Sequence, residues 1–357
     1  MSHVSSPAGG YRTSRLILVW CLFFLTSFSL GYPTLNRYAP TKAAVSAENP
    51  YGSMADTKYY ASLVKNGFMK MSDSNWRYRI LVPYVAKPFY MLSKGNIGSW
   101  SPVFFGLLMA NSIFIASAAV ILFLIGYSIT GSRTVGFISS LLLLSHFNVS
   151  NLYLAGLVDS SELFLMILTT WLLLQKKWRM LPFIAIVAFL ARETAVIFTF
   201  GLSSGWLLVD AIRGKIRQPE IYSILFYILA ALALGLGGLM LLRYLGTSEI
   251  VPPWRIGGGG AKFNFAAILA GVRGLATSKS LVYSFIWLLP LGLLGIRSIP
   301  RNWLWSSVLT TGGALLLILL MNAGENASRP LFTTAGPVLL VGAASYITKF
   351  LGLERPS

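Results

Sequence analysis

The sequence predicts an all-α polytopic membrane protein whose 357 residues form a single transmembrane domain. Three observations predict it. Hydrophobic residues make up 55% of the chain and charged residues 11%, with a mean hydropathy of +0.68, whereas soluble domains carry about 25% charged residues. Apolar stretches recur that approach or exceed the ~20 residues a helix needs to cross a bilayer. Lysines and arginines gather at the ends of these stretches, as the orientation rule for membrane helices requires.

The same composition narrows the function classes. A net charge of +18 would suggest nucleic acid in a soluble protein. Here the basic residues flank apolar spans, so the expected partner surface is membrane lipid and no nucleic acid. Cys21 is the sole cysteine and lies in the first apolar stretch, which rules out an intramolecular disulfide. His3 and His146 are the only histidines, too few for a histidine metal cluster.

The expected membrane segments are 15–31, 101–128, 135–157, 159–175, 181–191 paired with 194–210, 221–245, 281–297, 303–322 and 331–348. The stretch 15–31 carries no small-residue cleavage pattern behind it and reads as a retained helix. The stretch 181–210 is decided by charge. As one helix it would put Arg213, Lys215 and Arg217 opposite Lys176, Lys177 and Arg179. As two short helices meeting at Arg192-Glu193 it puts all six on one side, and the orientation rule favours that reading. Ten membrane segments result, with both termini cytoplasmic. The junction at Arg192-Glu193 then sits in a protein-lined vestibule where polar groups can be satisfied.

Two long outer loops follow from this topology, 32–100 and 246–280. Within the first, 55–68 has helical spacing. The run 80–92 is too short to span and is expected to lie along the interface. In the second loop, 263–276 is expected to do the same, and the glycine run 257–260 to form a turn. Asn148-Val149-Ser150 matches a glycosylation acceptor but falls within an expected span.

The scarce acids carry the functional signal. Only 11 of the residues are Asp or Glu, yet Asp56, Asp159, Glu162 and Glu193 all fall at the outer end of the expected helices. A charged side chain costs about 2.5–3.5 kcal/mol at the centre of a membrane helix on insertion scales. Asp56 and Tyr60 share a helix face by their spacing of four. Asp56 could take a proton from an attacking hydroxyl, or hold a divalent cation (Mg or Mn) beside a leaving phosphate. In Trp76-Arg77-Tyr78-Arg79, the two arginines could grip a phosphate with their planar forks, or snorkel to lipid headgroups. Asp159 and Glu162 share a face and also fit a capping box. Arg192-Glu193 could be an internal ion pair. Arg329, in Glu325-Asn326-Ala327-Ser328-Arg329-Pro330, could hold a phosphate or brace the site. Trp254 and other aromatics could stack on sugar rings.

These motifs, taken together, resemble the GT-C superfamily of polytopic glycosyltransferases. The points of likeness are an outer first loop with Asp56 and Tyr60, the sequence Arg79-Ile80-Leu81-Val82-Pro83, the turn Leu190-Ala191-Arg192-Glu193, and Arg329-Pro330. The chain has a single Asp in the first loop, not an adjacent acidic pair, and that departure bears on metal dependence. The resemblance implies a polyprenyl-phosphate sugar donor and a glycan, lipid or protein acceptor. It implies work on the extracytoplasmic face of a bacterial inner membrane, with Asp56 catalytic. Tyr60, Arg77, Arg79, Asp159, Glu162, Arg192, Glu193 and Arg329 would then bind substrate. The competing readings are a secondary transporter, which would place its charges near the midplane, and a glycan polymerase or ligase using a pyrophosphate donor.

Overall fold

The computed structural model describes residues 13–38, 56–68, 75–97, 101–247, 265–321 and 323–353. Among them the regular structure is all helical, with no strand. In chain order the helices are α1 (Thr13–Tyr38), α2 (Thr57–Asn66), α3 (Leu81–Ser93), α4 (Pro102–Thr130), α5 (Arg133–Leu144), α6 (Asp159–Leu174), α7 (Leu181–Ala191), α8 (Glu193–Ile212), α9 (Gln218–Thr247), α10 (Phe265–Thr277), α11 (Lys279–Phe285), α12 (Leu288–Leu294), α13 (Arg301–Leu320) and α14 (Ser328–Phe350).

Six stretches are long and apolar enough to cross a membrane; they lie in α1, α4, α8, α9, α13 and the region of α14. The number becomes seven if α10 and the following α11–α12 stretch, bent by 58° at Ser278, count as one span. The chain is therefore consistent with a multi-pass membrane protein. Its lipid-facing surface is written in exposed apolar side chains such as Ile17 and Leu18 on α1, Phe226 and Leu229 on α9, and Leu316 on α13.

The expected span 135–157 is not one helix. α5 stops at Leu144, and at 12 residues it is about 18 Å long, short of the ~30 Å hydrocarbon core. The chain then runs through His146 and a single π turn, Val149–Tyr153, to Gly156, whose φ of 93° suits a residue without a Cβ. Residues 145–151 are polar at five of seven positions (Ser145, His146, Asn148, Ser150 and Asn151), and the expectation of one span rests on the apolar runs to either side of them. Irregular backbone of this kind is tolerated at membrane depth only when buried in protein, and here it is. His146 and Asn148 are fully buried. His146 Nε2 lies 2.9 Å from the Ser284 carbonyl, which accepts its proton, while Nδ1 accepts the Asn148 backbone N–H at 3.2 Å. The Asn148 side chain donates to the Ser328 carbonyl and accepts from the Ser284 hydroxyl. This network ties the break to α11 and α14. It also leaves Asn148 no exposure for glycosylation.

The other expected boundaries fall close to the observed ones. The 55–68 helix is α2, the 80–92 run is α3, and the 263–276 run is α10. The expected span 281–297 is divided between α11 and α12. Trp254 and the glycine run 257–260 lie outside the described residues.

Lipid tails are as apolar as leucine, so membrane helices associate through close packing and polar contacts rather than water exclusion. α8 and α13 show how. A Cβ at Gly205 would sit 3.0 Å from Ser306 Cα, and one at Gly201 would sit 3.4 Å from Thr310. These two contacts define an antiparallel register with small residues on both sides. Continued toward the start of α8, the register sets Ile197 against Ala314, and Glu193-Thr194 against Leu317-Ile318. That is the end of the helix pair where the functional residues lie.

Candidate active site

The helix break at Arg192 builds the site. Arg192 has extended backbone angles (φ −170°, ψ 148°), ending α7 and starting α8. The N-termini of α6, α8 and α14 meet there, bringing Asp159, Glu162, Glu193 and Arg329 to one end of the bundle. Arg79 joins them from the segment just before α3.

Three guanidiniums and three carboxylates form two neighbouring sets, Arg79 with Glu193, and Arg192 and Arg329 with Asp159 and Glu162. Arg79 grips Glu193 with two parallel bonds, Nη2 to Oε1 at 2.5 Å and Nε to Oε2 at 3.2 Å. Its Nη1 donates to the Tyr60 hydroxyl at 3.2 Å. Arg192 Nη1 donates to Asp159 Oδ1 at 2.6 Å and to Glu162 Oε2 at 3.3 Å. Arg329 Nη1 donates to Asp159 Oδ2 at 3.3 Å. The Thr194 hydroxyl donates to Glu162 Oε1. Arg192 Nε is buried and has no hydrogen-bond partner among the described residues.

Burial separates the two signs of charge. The Asp159 and Glu162 side chains are 2% and 1% exposed, while those of Arg192 and Arg329 are 15% and 17% exposed. The acids stand behind, and the arginines face a cleft of about 120 Å³ lined by Arg79, Arg192, Glu193, Thr194 and Arg329. The rest of the lining is largely apolar. Ala314, Leu317 and Ile318 form one stripe of α13, continued by Met321 just past its end, opposite Ile197 and Phe198 of α8. The cavity is smaller than the ~300–1,000 Å³ of whole-ligand pockets. It suits a compact anionic head whose apolar remainder runs along the α8–α13 groove.

Each expected site residue has a definite place. Arg79, Arg192, Glu193 and Arg329 line the cleft. Asp159 and Glu162 do not; they hold the arginines from behind. Neither caps its helix, because the N-cap of α6 is Val158 and no side-chain cap bond is made. Tyr60 is buried beneath Arg79. Burial pushes its phenol above the ordinary value of 10.0, against the opposing pull of Arg79 and Arg192. Burial alone would lower the Arg79 guanidinium, but Glu193 and Tyr60 more than offset it and hold it above its ordinary value.

Asp56 sits outside the ionic cluster. It is half-buried at the N-cap of α2, makes no side-chain cap bond, and forms no ion pair among the described residues. Its neighbour Thr57 packs against Gly156, where a Cβ would meet Thr57 Cγ2 at 2.8 Å. The start of α2 is thus pressed onto the loop that delivers Asp159. Arg77 turns elsewhere. Its Nε donates to the Phe68 carbonyl at 3.0 Å, and its guanidinium lies 4.8 Å from the Phe68 ring centroid. It braces the chain after α2 against Tyr78 and the end of α9 and does not line the cleft.

The three buried acids are committed to guanidiniums, and no three metal-ligating residues stand together among the described residues. Thr194, Asn326 and the α13 stripe are site residues that the motifs did not single out. Thr194 and Asn326 were adjacent to flagged charges, but the α13 stripe carries no chemical signal beyond helical spacing. Comparison with known proteins finds no family model, no curated protein and no solved structure that matches this chain.

Proposed function

We propose that the chain is a membrane glycosyltransferase of the GT-C kind. It moves a sugar from a polyprenyl-phosphate donor to an acceptor hydroxyl on a glycan, lipid or protein. In this reading the chain has ten membrane-embedded segments and cytoplasmic termini. The α6, α8 and α14 N-termini then face the periplasm or cell exterior of a bacterial inner membrane. The observation that carries the reading is the cleft's two-part wall: arginines held in fixed orientation at its head, and an apolar stripe of α13 beside them. That combination fits a phosphate joined to a long hydrocarbon tail.

The donor phosphate lies against Arg192 and Arg329, which carry the most exposed guanidiniums of the cluster. Three helix N-termini add partial positive charge, each stabilising an anion by typically 0.3–1 kcal/mol. The acceptor oxygen forms a bond to the anomeric carbon as the anomeric C–O bond to phosphate breaks. The electron pair leaves on the phosphate, where the arginines neutralise the growing charge. The acceptor proton passes to Asp56, which forms no ion pair with a guanidinium among the described residues. Asp159, Glu162 and Tyr60 position the arginines. Preorganised donors of this type are each worth about 10²–10³ in turnover.

The test is mass spectrometry of lipids that copurify with the protein, paired with transfer from a labelled polyprenyl-phosphate sugar. Copurified polyprenyl-phosphate hexose or pentose is expected, with Asp56→Asn losing about 10²–10⁴-fold in rate at unchanged thermal stability. Full activity in Asp56→Asn would remove that residue from the chemistry. Copurification of ordinary phospholipid alone, with no transfer, would overturn the assignment.

A further inference from the structure

We infer that the polar cavity between α10 and the α13–α14 turn is a saccharide-binding subsite, the place where a hydroxyl-rich acceptor docks. The inference rests on the glycosyltransferase reading and deepens it. The cavity measures about 450 Å³, within the ~300–1,000 Å³ range of ligand pockets. Its polar side chains come from two elements. Arg273 and Thr277 stand on α10, and Glu325 and Asn326 on the turn before α14.

The position of this cavity is what makes it informative. Ala323 and Asn326 line both it and the arginine cleft, so one turn of chain is the wall between them. The same turn leads directly into Arg329. A ligand in the polar cavity therefore lies next to the head of whatever occupies the cleft.

That wall is fixed in place. The Ser278 hydroxyl donates to the Glu325 carbonyl at 3.0 Å. Gly324 and Gly274 pack backbone to backbone, since a Cβ on Gly274 would lie 3.1 Å from Glu325 N. α10 thus acts as a buttress for the turn.

The chemistry of the two cavities differs. The arginine cleft offers guanidiniums and apolar carbon. The second cavity offers one carboxylate, one guanidinium, one amide and one hydroxyl, with no excess of either charge. A carboxylate accepts from two neighbouring hydroxyls, and a guanidinium donates in parallel to two oxygens. Such a set recognises vicinal hydroxyls on a neutral ring and discriminates poorly for a phosphate. Glu325, Asn326, Arg273 and Thr277 are all exposed, so they are free to reach a ring without unfolding anything.

The experiment is saturation-transfer NMR of the full-length protein in lipid nanodiscs, with a panel of methyl hexopyranosides and methyl pentofuranosides as probes. At least one probe is expected to bind. The double variant Arg273→Ala with Glu325→Ala is expected to weaken it at least tenfold, and Ala270→Trp, which fills the cavity from its lining, to do the same. The lipids that copurify should not change in either. Binding by no member of the panel, or equal binding by the double variant and the native chain, overturns the subsite. Failure of the parent reading looks different: saccharide binding would persist and respond to these substitutions, while no polyprenyl-phosphate sugar copurified or was consumed.

Discussion

The two ends of α8 carry acids of very different standing. At the start, Glu193 is held by two bonds from Arg79, within a cluster whose carboxylates are 5% exposed or less. At the far end, Asp210 has its ion-pair partner Lys215 at 4.0 Å, that lysine is 46% exposed, and one Asp210 carboxylate oxygen is buried without a hydrogen bond. The first arrangement is a closed network with fixed geometry. The second is a single long pair between a buried carboxylate and an exposed lysine. A single helix shows the contrast between charge that is organised and charge that is merely tolerated, and only the organised end adjoins a cleft.

The sharpest way to break that contrast is Arg192→Ala. It strips Asp159 and Glu162 of a shared partner, and removing one member of a buried ionic set costs about 3–5 kcal/mol. A large drop in thermal midpoint in detergent is expected; a change of a degree or two would show that the network is loose. Next in size is Glu193→Gln, which offers the Arg79 guanidinium one acceptor oxygen in place of two and removes its counter-charge. It should cost about 1.5–3 kcal/mol, read by the same melt.

Tyr60→Phe should cost about 1 kcal/mol at neutral pH through the lost bond to Arg79. It also has a pH signature. The Tyr60 phenol titrates above its unfolded value of 10.0. Its contribution is therefore fully present below pH 10 and is lost as pH rises through the higher folded value. The gap between wild type and Tyr60→Phe should be flat from pH 6 to 9 and close at more alkaline pH. A gap that closes near pH 7 would mean another group is responsible. The smallest effect belongs to Asp210→Asn, expected at about 0–1 kcal/mol. A cost matching that of Arg192→Ala would erase the difference between the two ends.

Much of this arrangement is visible in the primary structure because charge is so scarce. The break at Arg192-Glu193 was legible since six basic residues had to share one side, and α7 and α8 begin within a residue of the expected places. The grouping of Asp159, Glu162 and Arg192 at one end was legible for the same reason. Pairings were not. Arg79 and Glu193 are separated by 114 positions, and nothing in the order of residues says which guanidinium meets which acid. Arg77 and Arg79 look alike in sequence, but one turns to the Phe68 carbonyl and the other to Glu193. The irregular stretch after α5 carried a signal in the polar run 145–151, which the apolar segments on either side of it masked. Asp159 and Glu162 fit a capping pattern that the nearby arginines outbid.

The link between Arg329 and Asp159 spans 170 positions and has a consequence during synthesis. Asp159 enters the membrane long before its second cation has been translated. A chain that stalls before residue 329 therefore presents a carboxylate lacking part of its counter-charge. Such a product is chemically distinguishable from the finished protein, because Asp159 then has Arg192 as its guanidinium partner and not Arg329 as well. Completion of the last helix is thus also the moment at which the chain stops looking like an error.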